Sequence, residues 1–233
     1  MSIPPPSVEE GLRRVLDRIA EAETRFGRES GSVRLLAVSK LQSAEKIAAA
    51  HAAGQRAFGE SYVQEALEKQ QRLSDLPLEW HFVGRIQSNK TRDISARFDW
   101  VHSLCELKHA RRLGAQRPPG LPPLSVCVQV DLSGEPSKAG VPPQLLAELI
   151  EAASEIDGIR IQGLMTLPAP TQDLDSQRRP FAELRALRDR LARPGLAMAT
   201  LSMGMTADLE AAVAEGATIV RIGTAVFGPR PAR

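Results

Sequence analysis

The chain has 233 residues, with 30 basic and 28 acidic side chains, 42% hydrophobic and 25% charged residues. That is the composition of a globular protein, not a disordered one, and no apolar run is long enough to span a bilayer. A formal charge of +2 gives no electrostatic footprint for nucleic acid, although the sequence pI is 8.7.

Read in chain order, Met1-Ser2-Ile3-Pro4-Pro5-Pro6 lacks the basic segment and apolar stretch of a secretory signal. A helix is predicted over 8–26. A short apolar run followed by a helical pattern then recurs. Strands are predicted at 33–38, 57–59, 80–83, 100–104, 124–132, 159–167, 200–203 and 219–222. Helices are predicted between them at 43–53, 62–73, 90–97, 107–115, 142–155, 177–191 and 207–215. The strand runs are nearly continuous in apolar residues, as buried parallel strands are. Eight β/α units point to a closed (β/α)8 TIM barrel, a fold that uses ~250 residues as one domain. The first helix either plugs or flanks it. A doubly wound open sheet is the competing arrangement, but Ser39-Lys40-Leu41 after the first strand is no Gly-rich dinucleotide turn. The proline-rich loops at 118–123 and 168–170 are too short to divide domains, so residues 1–233 read as one.

Cys105 and Cys127 are too few for a disulfide framework and lack zinc-ligand spacing. Two buried thiols in a cytoplasmic protein are expected. His51, His81, His102 and His109 show no metal-ligand spacing either. No large apolar stripe is left over, so a monomer is expected.

In a barrel, chemistry belongs at the carboxyl ends of the strands. The first strand ends in Ser39-Lys40. An ammonium over an apolar interior is easier to deprotonate, which Schiff-base chemistry requires. The competing reading is a lysine that snorkels to solvent. The seventh strand ends in Ser202-Met203-Gly204-Met205-Thr206, with Asp208 opening the next helix, and the eighth in Arg221-Ile222-Gly223-Thr224. Hydroxyls, glycine and a helix start in these two loops make a phosphate site, and the same residues also suit an ordinary helix cap. A lysine and a phosphate site across one mouth suit a ligand with a carbonyl and a phosphate. Pyridoxal 5′-phosphate (PLP) and a phosphosugar both qualify.

Several stretches, in order, carry a resemblance. They are Leu35-Leu36-Ala37-Val38-Ser39-Lys40, Phe58-Gly59-Glu60, Tyr62-Val63-Gln64-Glu65, Trp80-His81-Phe82-Val83-Gly84 and Ile86-Gln87-Ser88-Asn89-Lys90. Ser137-Lys138-Ala139-Gly140, Gly163-Leu164-Met165, Leu201-Ser202-Met203-Gly204-Met205 and 220–228 follow. With them the chain resembles the pyridoxal phosphate homeostasis proteins. The resemblance implies a barrel of PLP fold type III, shared with the N-terminal part of alanine racemase. It implies a Schiff base between Lys40 and PLP, with Ser202, Thr206, Gly223 and Thr224 on the phosphate and Arg221 facing the pyridine nitrogen. Three positions depart from the family pattern. Leu41-Gln42-Ser43 replaces a segment with Thr and Pro, Ser61 stands where Asn is common, and Thr206 replaces a serine while keeping the hydroxyl.

An arginine can only donate to the ring nitrogen, which keeps that nitrogen unprotonated and the ring a weak electron sink. Racemases of this fold add a tyrosine base from a β-rich second domain, and none is expected here, nine residues from the end at Thr224. Tyr62, the one tyrosine, either reaches the mouth or packs at the rim, and His81 is either a base or a structural residue. The resemblance therefore implies a PLP carrier in cofactor homeostasis, without substantial turnover, that affects amino-acid and 2-oxo-acid balance and could pass PLP to PLP-dependent apoenzymes. An amino-acid racemase, a phosphosugar lyase and an interaction protein with a vestigial site are the alternatives. Lys138 is either a second attachment point for PLP or a solvated loop lysine, and Lys90 either touches an anion or is simply exposed.

Overall fold

The fold is known from a computed structural model, which describes residues 7–132 and 139–229. A capping box opens the first helix: Ser7 accepts from the Glu10 N–H, and Glu10 reaches back to the Ser7 N–H. That helix, α1, spans Val8–Arg25, and the chain then alternates. The strands are β1 Arg34–Val38, β2 Ala57–Glu60, β3 Glu79–Phe82, β4 Trp100–Leu104, β5 Leu124–Gln129, β6 Ile159–Met165, β7 Thr200–Ser202 and β8 Ile219–Ile222. The helices between them are α2 Ala44–Ala52, α3 Val63–Arg72, α4 Thr91–Arg97, α5 Leu107–Ala115, α6 Leu146–Ser154, α7 Leu174–Leu191 and α8 Leu209–Ala214. A last short helix, α9, spans Thr224–Phe227. Every strand pairs in parallel with the next, and β8 pairs with β1, which closes the barrel.

α1 flanks the barrel; it does not plug it. It packs beside α2, α8 and α9 through Leu12, Val15, Ile19 and Ala22, all buried. Contact is closest at Gly11, where a Cβ would lie 2.4 Å from the carbonyl oxygen of Val226. An 18-residue helix thereby covers a stretch of wall where the local helices have six and four residues.

Helix α7 starts three residues before its predicted position because Asp173 accepts from the Ser176 N–H and caps it there. No described helix is long and apolar enough to cross a membrane.

Parallel pairing sets which side chains share a face. Leu35 pairs with Val220 and Ala37 with Ile222, and all four belong to the main apolar cluster between sheet and helices. Leu36 pairs with Arg221 on the opposite face, toward the barrel axis.

Candidate functional site

The turn after β1 carries Lys40. Ser39 is fully buried; its N–H donates to the carbonyl of Gly59, and its hydroxyl donates to Glu60 Oε1 at 2.6 Å. Leu41 has φ 61°, a left-handed conformation that costs a residue with a Cβ roughly 1–2 kcal/mol. Its N–H donates to Glu65 Oε1 at 2.6 Å, which holds it there. Lys69 ties the cluster together: Nζ lies 2.7 Å from Glu60 Oε1 and 2.5 Å from Glu65 Oε1, and donates to the Ser39 carbonyl at 2.8 Å. Burial pushes the Glu60 carboxyl up, against the pull of Lys69 and Ser39. Two carboxylates and an ammonium thus brace the Lys40 turn from behind.

Lys40 lines a cavity of about 180 Å³ at the carboxyl ends of the strands. Val38, Val83, Met165, Leu167 and Met205 supply its apolar walls, and Thr206, Arg221, Gly223 and Thr224 its polar side. The lysine from β1 and the loops after β7 and β8 therefore do meet. Two neighbouring cavities of about 500 Å³ each also include Lys40 and Val83. Ser61, Tyr62, Arg85 and Lys90 line one of these. Tyr62 is 46% exposed at the rim, next to the cavity and not in its wall. Lys138 lies outside the described residues.

Two details differ from the sequence expectation. Ser202 does not line the cavity: it is fully buried, and its hydroxyl lies between Arg221 Nη1 at 2.8 Å and His102 Nδ1 at 2.7 Å. Its side chain supports Arg221 from behind. The helix after β7 also begins at Leu209, later than predicted, and has six residues. Asp208 Oδ1 accepts the Met205 N–H at 2.5 Å, which closes the turn before α8. Glycine is required at Gly204, whose φ is 94° and whose Cβ would lie 2.5 Å from that of Ala212. At Gly223 the close neighbour is the Val38 carbonyl oxygen, 3.0 Å from a notional Cβ, so this glycine brings β8 against the end of β1 beside Lys40.

Arg221 is buried, and its Nη2 donates to the Thr166 carbonyl at 2.9 Å. Burial lowers its pKa to about 10, with Asp208 opposing the shift, so the guanidinium remains charged at neutral pH. Behind Ser202, His102 Nε2 lies 2.8 Å from His81 Nδ1. Burial lowers the pKa of both histidines. His81 stacks on Trp100 with ring centroids 5.5 Å apart and lines none of the three cavities. Cys127 is buried, and burial pushes its thiol up to about 12, which makes it inert.

Sequence reasoning missed His102, Lys69 and the bracing roles of Glu60 and Glu65. A signal existed for His102, since strand alternation places His81 and His102 each two residues after its strand's first position (79 and 100). The register that brings their rings together is a tertiary property.

The donor set suits a flat aromatic aldehyde bearing a phosphate. There is an amine at one side, two hydroxyls across from it, a buried guanidinium that can only donate, and apolar side chains for the ring faces. The residues present fit PLP.

The chain matches the family described as alanine racemase, N-terminal domain, over residues 12–231. The pyridoxal phosphate homeostasis protein of Pseudomonas aeruginosa is 54% identical over 224 residues, 96% of either chain. That of Escherichia coli is 45% identical over 226 residues, 94% of this chain and 95% of its own. Among solved structures, PipY of Synechococcus elongatus with PLP bound is 40% identical, with a TM-score of 0.80 over 90% of this chain and 100% of its own. Alanine racemase of Corynebacterium glutamicum, at 20% identity and a TM-score of 0.69, shares the fold over 97% of this chain and 61% of its own. With its barrel, its Lys40 cavity and these relatives, the chain belongs to the pyridoxal phosphate homeostasis protein family, within the broader family of the alanine racemase N-terminal domain.

Proposed function

We propose that this protein binds PLP in the Lys40 cavity and serves in intracellular PLP homeostasis, holding and releasing the cofactor without substantial turnover. One observation carries the reading: Lys40, Thr206, Arg221 and Thr224 come from three separate strand ends and line one cavity. When bound, PLP supplies an aldehyde that combines reversibly with an amine. Lys40 is that amine, and the braced turn fixes where it stands. Thr206, Thr224 and the backbone at Gly223 take the phosphate. Arg221 donates toward the ring nitrogen and has no proton-accepting atom to offer it. Ser202 acts indirectly, by holding Arg221. The names of relatives at 41–54% identity support the homeostasis role.

The absence of turnover is part of the proposal. Racemization needs a second base on the far side of the ring; among the described residues no tyrosine or histidine lines the cavity of about 180 Å³, and Tyr62 lines only the neighbouring cavity that Lys40 also borders. Delivery of PLP to apoenzymes, a monomeric state, a single domain over 1–233 and a cytoplasmic location belong to the same reading. Two free thiols among the described residues suit a reducing compartment.

A pair of measurements tests this. PLP at 100 times its Kd should stabilise the protein by about 2.7 kcal/mol by linkage, visible as a raised Tm, and Lys40→Ala should reduce that shift. The loaded protein should leave L-alanine and other amino acids unchanged over hours. An unchanged Tm would overturn the binding claim, and Lys40-dependent conversion of an amino acid would replace the carrier with an enzyme.

A further inference from the structure

Five side chains form a line through the barrel interior. Arg221 Nη1 is 2.8 Å from Ser202 Oγ, Ser202 Oγ 2.7 Å from His102 Nδ1, and His102 Nε2 2.8 Å from His81 Nδ1. His81 Nε2 then lies 3.1 Å from Glu79 Oε1, close enough for an electrostatic contact although it does not meet hydrogen-bond geometry. Glu79 opens β3 at the amino-terminal floor of the barrel and also meets Arg34 at 2.6 Å. Arg221 stands at the opposite end, under the Lys40 cavity.

The protons in this line have one consistent order. Arginine has no acceptor, so Arg221 donates to Ser202. Both imidazoles are buried and neutral, so each carries one proton. In the first of two possible orders, Ser202 donates to His102 Nδ1, His102 Nε2–H donates to His81 Nδ1, and His81 Nε2–H faces Glu79. In the second, the two bonds to His102 are reversed, so that Ser202 accepts from both Arg221 and His102, and a bare Nε2 lone pair of His81 faces the Glu79 carboxylate at 3.1 Å. Repulsion between that lone pair and the carboxylate excludes the second order. A carboxylate on the barrel floor therefore selects the direction of the bonds from His81 to Ser202, and Arg221 closes the line as a donor in either case. It also places a negative charge at the far end of a polarised line that begins at a buried cation.

We propose that Glu79, His81, His102 and Ser202 are positioning residues that hold the Arg221 guanidinium, through one fixed proton order, in the orientation that presents its remaining N–H groups to the cavity. This rests on the reading that Arg221 faces the ring nitrogen of PLP. The line is more than packing, because apolar side chains of similar size would fill the same interior without leaving four polar groups to be satisfied.

The experiment has two arms. The first uses ligand-free protein and the ¹⁵N spectra of the histidine rings, assigned with single-histidine variants. His81 and His102 should both be neutral with the proton on Nε2. In Glu79→Gln the order should relax, so that the His102 signals shift or average although Glu79 does not touch that ring. A cationic ring, an Nδ1–H tautomer at either residue, or His102 signals unchanged in Glu79→Gln would overturn the proposal. The second arm measures PLP affinity. Ser202→Ala should weaken it roughly tenfold, the scale of one lost hydrogen bond to a charged group, and Ser202→Thr should restore most of it. Equal affinity in Ser202→Ala and the unaltered protein would overturn the positioning role even if the proton order is confirmed. Failure of the unaltered protein to bind PLP would instead remove the functional reading, and the first arm would still decide the proton order.

Discussion

Leu35, Ala37, Val220 and Ile222 point outward from β1 and β8 into the apolar layer beneath the helices, whereas Leu36 and Arg221, their neighbours in sequence, face the axis. The outer face belongs to one continuous apolar cluster that includes Phe58, Phe82, Phe98 and Phe181. Toward the axis, Leu36, Ala57 and Ile219 form only a small separate cluster with Val83. Much of the remaining interior is polar and hydrogen-bonded: His81, His102, Ser202, Arg221. The outer layer makes the barrel stable, and any apolar side chains of suitable volume can do that. The inner line has few substitutes, because each buried polar group needs its own partner.

Changes at the two places should therefore fail differently. The largest effect is expected for Lys69→Met, which leaves Glu60 buried beside Glu65 without its cation. Breaking such a pair costs about 3–5 kcal/mol, read from urea unfolding, and PLP affinity should fall as well because the Lys40 turn loses its brace. Phe181→Ala, in the outer layer, should cost a similar 3–5 kcal/mol or slightly less yet leave PLP affinity unchanged at 25 °C. A drop in affinity for that variant would blur the distinction between the two faces. Gly204→Ala combines a left-handed backbone with a clash against Ala212 and should cost about 1–3 kcal/mol, with weakened PLP binding.

Acid should probe the inner line. The His81 contact, together with the charge on Arg34, holds the Glu79 carboxyl at about 2 against an ordinary 4.5, although burial opposes this. A lowered folded-state pKa stabilises the protein above pH 4.5, and the stabilisation is lost as pH falls through about 2. Discounted for partial exposure, that is about 1–2 kcal/mol. Glu79→Gln should flatten the urea midpoint between pH 4.5 and 2, and an unaltered acid slope would show that Glu79 is not engaged with the line. The smallest effect is chemical: Cys127, with its thiol pushed up to about 12, should resist alkylation at pH 8 in the folded protein, while partly exposed Cys105 reacts first.

The outer face was legible because it is periodic. Eight apolar runs in the sequence became eight strands, with ends displaced by a few residues, as at β5, which stops at Gln129 and not at 132. α8 and α9 were not legible at their true lengths, since six and four residues barely complete a helical period. At the site, Lys40, Thr206, Arg221, Gly223 and Thr224 were legible as strand-end residues, and they share one cavity. The partners of Ser202 were not legible, because its sequence neighbours belong to the loop after β7 while its own side chain turns inward to His102 and Arg221. The bracing of Lys40 by Lys69 joins residues 29 apart through β2 and α3, and no local pattern encodes that meeting.

The central claim is that Lys40 is where PLP is held. The most direct measurement is an absorbance spectrum of the protein with PLP, followed by borohydride reduction and peptide mapping. The expected result is a visible band that reduction abolishes, with a pyridoxyl label on Lys40. No band in excess PLP, or a label on other lysines with Lys40 unmodified, would contradict it.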